Sequence, residues 1–158
     1  MSQSDEVFFE TLRALQPEVD VVVLPPEPPP VAPDASHDDA VSAARGTAET
    51  LDALLAESGA GARPRTDHER WDRRQGDVHV HVSRARVEHD DSYAATESLL
   101  AVGDVLDAGG WQPRPIDSPT PWLRATSPSG LEADVAVERS QLVVTVTSAP
   151  LRLEDDPS

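Results

Sequence analysis

The chain has 158 residues, 38% of them hydrophobic but only 4% aromatic, with 29 acids against 13 arginines, no lysine and a formal net charge of −16. That length supports one domain, and an interior poor in aromatics must be built in thin layers from Val, Leu and Ala. The absence of cysteine excludes disulfides, thiolate nucleophiles and Cys-ligated metal, while the negative field disfavours nucleic acid and anionic lipid and favours a basic partner.

The acidity is uneven. Residues 1–62 carry twelve acids against Arg13 and Arg45, residues 63–94 carry seven of each sign, and residues 95–158 carry ten acids against four arginines. The N-terminus reads Met1-Ser2-Gln3-Ser4-Asp5-Glu6, without the positive charge and apolar run of a signal peptide, and the longest apolar run covers only 21–24. A cytoplasmic protein without membrane contact is therefore expected.

Ser4 is placed to cap a short helix, with Asp5 and Glu6 in its first turn and Pro17 beyond its end. Phe8, Leu12 and Leu15 share one face of that helix, with Phe9 beside them. Residues 19–24 read as a short strand ended by Pro25. Six prolines between 25 and 33 then favour a stiff polyproline II segment that sets this peptide apart. So short a helix is marginal alone, so the peptide must dock either on its own domain or on a partner, which makes Phe8, Phe9 and Leu12 candidate partner-binding residues.

Ser36 opens a second helix that Gly59 stops, with Val41, Ala44, Ala48, Leu51 and Leu55 as its apolar stripe. The stripe spans two heptads, too few for a coiled coil, so it is expected to pack on a sheet. Over 63–76 an Arg/Trp connector follows, read as a solvated linker or short helix. Arg70, Arg73 and Arg74 surround Trp71 there, a combination able to grip a carboxylate, a phosphate or a stacked base and so a second candidate partner-binding group. Interspersed Asp67, Glu69 and Asp72 weigh against nucleic acid.

From Asp77 the period becomes two. Val78, Val80 and Val82 are expected to face the core, leaving His79 and His81 together on the wet face of the strand. Two imidazoles on one face could share a metal, with His68, His89, Asp90 or Asp91 as a third ligand, although no HExxH or comparable pattern accompanies them. Asp91 or Ser92 caps the next helix, whose stripe is Ala95, Leu99, Val102 and Leu106 and whose stop is Gly109-Gly110. Residues 111–116, holding Pro113 and Pro115, must form an edge strand or irregular segment. Residues 122–126 form another strand, 127–130 a turn, and residues 131–137 and 142–146 an antiparallel hairpin with Leu131, Ala133, Val135, Val137, Leu142, Val144 and Val146 inward.

The expected class is α+β: a two-layer sandwich whose antiparallel sheet follows strand–helix–meander order, with helices on one face and a Pro-rich N-terminal extension. The divisions are 1–35, N-terminal peptide and tether; 36–62, amphipathic helix; 63–76, connector; 77–153, α+β domain; 154–158, acidic tail. No GxSxG elbow, phosphate loop or isolated carboxylate pair is present, so no catalytic residues and no cofactor are assigned. The expected function is a non-catalytic protein-binding module, monomeric or homodimeric, acting as an adaptor, secretion-system accessory or immunity-type protein. The alternative is a metal-binding protein or metal-dependent enzyme using His79 and His81.

Overall fold

Ser36 caps the helix His37–Glu57 as its sequence suggests. Asp39 N donates to Ser36 Oγ at 3.2 Å and Ser36 N donates back to the Asp39 carboxylate at 2.8 Å, which satisfies two amide groups that a helix start otherwise leaves without partners. Ser36 Oγ also donates to the Asp39 carboxylate at 2.7 Å, and this bond, with that from the Ser36 amide, holds the carboxyl below its usual range. The computed structural model describes residues 31–153. The predicted N-terminal helix and strand, the tether up to residue 30 and the acidic tail fall outside the described residues.

Helix α1 is His37–Glu57, followed by a short 3-10 turn at Ala60–Ala62. Strands β1 (Arg65–Arg73) and β2 (Val78–Glu88) form a hairpin, then helix α2 (Ser92–Ala108) crosses back. Strands β3 (Arg114–Pro115), β4 (Trp122–Thr126), β5 (Glu132–Glu138), β6 (Gln141–Thr147) and β7 (Leu151–Arg152) complete the chain. The seven-stranded sheet is antiparallel in the order β1-β2-β6-β5-β4-β3, with β7 pairing the start of β2. Both helices lie on one face, α1 over β2 and β6 and α2 over β4, β5 and β6. This is the α+β two-layer arrangement expected from the order of apolar periods.

The core between the layers is aliphatic. Leu51, Leu54 and Leu55 of α1 and Ala95, Leu99, Val102 and Leu106 of α2 meet Ala85, Val87, Ala133, Val135, Val137, Leu142, Val144 and Val146. Each fully buried Leu or Val side chain contributes about 1.5–3 kcal/mol relative to an exposed one. The layers approach closely at Gly103, where a Cβ would lie 2.9 Å from Leu123 Cδ1. At the 127–130 turn, Gly130 takes φ +86 and donates to Ser127 O at 3.1 Å.

Three expectations change. The connector is mostly strand: residues 65–73 pair with β2 in continuous register from Arg65–Val87 to Arg73–His79. Val41 is exposed, and Thr47 takes a buried place on α1 beside Leu51, Leu54 and Leu55. The third change concerns β2. Its odd residues face the helices, so His79 and His81 point inward and Val78, Val80 and Val82 toward the other face. The reason is in the same strand: Ala85 and Val87 belong to the core, and a strand without a bulge cannot also present 78, 80 and 82 on that side.

Candidate functional site

Turning β2 over places two histidines among the buried groups. His81 Nδ1 lies 2.6 Å from Thr47 Oγ1, which also lies 2.9 Å from Ser83 Oγ and donates to Ala44 O at 2.9 Å. A hydroxyl has one proton; satisfying all three bonds requires Ser83 Oγ–H and His81 Nδ1–H both to donate to Thr47. His81 therefore carries a proton on Nδ1. Burial pushes its pKa below the ordinary value, and the carboxylate of Glu69 opposes that shift in part. Trp71, directly opposite on β1, meets the imidazole edge-on, with ring centroids 5.1 Å apart. Ser148 closes the other side, donating from its amide to His81 O and accepting His81 N at its hydroxyl, both at 2.9 Å.

His79 is buried too, and its Nδ1 donates to Asp77 O at 2.9 Å. His79 and His81 thus share a face as the spacing predicts, but it is the inner face, and the Nδ1 atom of each is engaged with its own polar neighbour. His89 sits elsewhere, joining the end of β2 to α2 through Ser98 Oγ at 2.7 Å. Among the described residues no three His, Asp or Glu side chains are grouped to hold a metal ion.

The predicted partner-binding residues of the connector are divided by strand alternation. Arg70 and Arg74 point to the face turned away from α1 and α2, and Trp71 and Arg73 to the side of those helices. Arg70 makes a two-pronged pair with Asp72, at 2.7 and 3.1 Å, which lowers the Asp72 pKa. Arg73 Nε donates to Gly76 O at 2.6 Å. Phe8, Phe9 and Leu12 fall outside the described residues.

The face turned away from α1 and α2 carries charged groups largely matched to one another. Asp134 Oδ1 accepts from both Trp122 Nε1 and Arg124 Nε at 2.9 Å, with the guanidinium also over the indole, and Arg86 pairs Glu138 at 2.7 Å. A concavity of about 610 Å³ opens there, lined by Arg74, Val80, Arg124, Glu132, Asp134 and Pro150 among others.

The helical layer is different. The helices α1 and α2 carry eight acids against Arg45, whereas the strands carry eight arginines against seven acids. On α2, Tyr93 (72% exposed) and Leu100 (58%) stand seven residues apart and so on one line, with the exposed acids Glu97 and Asp104 between and beyond them. Sequence analysis missed this pair; its signal was two large apolar residues on the side of α2 opposite its buried stripe. No family model matches the chain, and no curated protein or solved structure matches it either. Among the described residues no helix is long and apolar enough to cross a membrane.

Proposed function

We propose that this chain is a non-catalytic protein-binding module that offers the α2 side of its helical layer to a basic partner protein. The observation that carries this reading is the exposed Tyr93–Leu100 pair set in a row of acids. Two apolar anchors give contact area that excludes water, and the surrounding carboxylates steer and orient a positively charged surface. The buried polar groups of β2 are matched within the fold, so they serve packing in this reading and not turnover. A cytoplasmic site of action, as an adaptor, secretion-system accessory or immunity-type protein, fits the same chemistry.

Capture of partners from the source cell by the full chain tests it. Tyr93→Ala and Leu100→Ala should each weaken the retained partner by about 1–2 kcal/mol, and Glu97→Arg should weaken it while reducing its sensitivity to salt. Glu88→Gln on the opposite face should leave it unchanged. Undiminished capture by all three α2 variants would refute the α2 surface. A folded chain lacking residues 1–30 that loses the partner would instead assign binding to Phe8, Phe9 and Leu12.

A further inference from the structure

The two edges of the sheet are built differently. On the β3 side the outermost strand has two residues, flanked and occupied by Pro113 and Pro115, so it offers few amide donors. On the other side β1 runs for nine residues with no proline and no bulge, and among the described residues it pairs only with β2. Glu88 N donates to Pro64 O and Arg74 N to Val78 O, so the even-numbered residues of β1 bond to β2. The amides and carbonyls of Arg65, Asp67, Glu69, Trp71 and Arg73 therefore point outward.

We propose that β1 pairs with β1 of a second copy of this chain, antiparallel and centred on Trp71, extending the sheet across a twofold axis. Such an axis stands normal to the sheet, keeps both helical layers on one side, and sets odd residues opposite odd and even opposite even. Registers that overlap five or more residues of each nine-residue strand are those centred on residues 67 to 71. Centring on Asp67, Glu69 or Arg70 sets that charge against its own copy, and centring on His68 sets Asp67 against Glu69. Only the register centred on Trp71 opposes no like charges. It sets Glu69 against the partner's Arg73 and Arg70 against the partner's Asp72, each twice by symmetry, with the two indoles meeting at the axis.

Charge density makes this seam suitable for self-association. Two chains of net charge −16 repel, but β1 itself carries three arginines and three acids. The Arg70–Asp72 pair already formed within each strand becomes half of a four-charge array, and the outward amide and carbonyl of Trp71 form the central pair of hydrogen bonds.

Sedimentation of the full chain across a micromolar concentration series tests the proposal. The expected species has twice the 17.0 kDa chain mass. Glu69→Arg or Arg73→Glu alone turns two attractive pairs into two repulsive ones and should raise the dimer Kd at least about tenfold. The double variant Glu69→Arg with Arg73→Glu restores opposite charges and should restore the dimer. A chain of single mass throughout, a dimer indifferent to either reversal, or a double variant no better than the singles would each overturn it.

Discussion

His81 shows how one side chain can couple a fold to pH. Its imidazole is neutral when folded because burial disfavours the charged form, and Glu69 only partly opposes this. In the unfolded chain it takes a proton near the ordinary value of about 6.5. Its contribution to stability is therefore complete above about pH 6.5, declines as pH falls from there toward the lower folded value, and is lost below it. Thermal melts between pH 7.5 and 5 should show a decline that is shallower in His81→Gln; equal slopes in the two proteins would mean that His81 is not the titrating group. Thr47 is the complementary residue, since its single hydroxyl holds together His81, Ser83 and Ala44 O. Neither role was readable from the sequence, where Thr47 lies on a stripe of Ala and Leu and His81 alternates with valines. Both follow from a contact across 34 residues.

At the scale of elements, local sequence was a good guide wherever a terminus or period was unambiguous. Ser36 and Asp91 cap their helices, residues 122–126 form β4, and the β5–β6 hairpin presents Val135, Leu142, Val144 and Val146 to the core. The hairpin turns at Arg139, the single described non-glycine residue with positive φ, at 59°. A left-handed backbone is disfavoured for side chains with a Cβ by about 1–2 kcal/mol, and glycine avoids this at an entropic penalty of about 0.5–1 kcal/mol in the unfolded chain. Arg139→Gly should thus stabilise the protein by up to about 1 kcal/mol in chemical denaturation, whereas a loss would mean that the arginine side chain holds the turn. Charge misled the reading of β1. Its alternating acids and arginines suit a solvated connector as well as an edge strand, and only pairing with β2 separates the two.

For the whole molecule the controlling quantity is the distribution of charge between layers. The helices hold eight acids against one arginine, while the sheet is close to balanced. Attraction within the sheet is short-range, as in Arg124–Asp134 at 2.9 Å and Arg86–Glu138 at 2.7 Å, whereas repulsion among helical carboxylates acts over longer distances. Raising salt from about 0.01 M to 0.15 M shortens the screening length from about 30 to 8 Å, which suppresses mainly the second. The melting temperature should rise by a few degrees over that range. A fall would mean that the surface pairs outweigh the repulsion.

The sequence by itself determined the class of the fold, because apolar periods of two and of three to four, together with caps and proline stops, are local properties of the backbone. Tertiary structure alone decided which face of β2 is inside. Val78, Val80 and Val82 favour one side and Ala85 and Val87 the other, and the choice was made by the contact of Thr47 with His81 and by pairing on both edges of the strand. It also decided that the Arg/Trp segment is a sheet edge and that Tyr93 and Leu100 stand among acids. Burial and pairing depend on what arrives from distant parts of the chain, and periodicity carries no information about that.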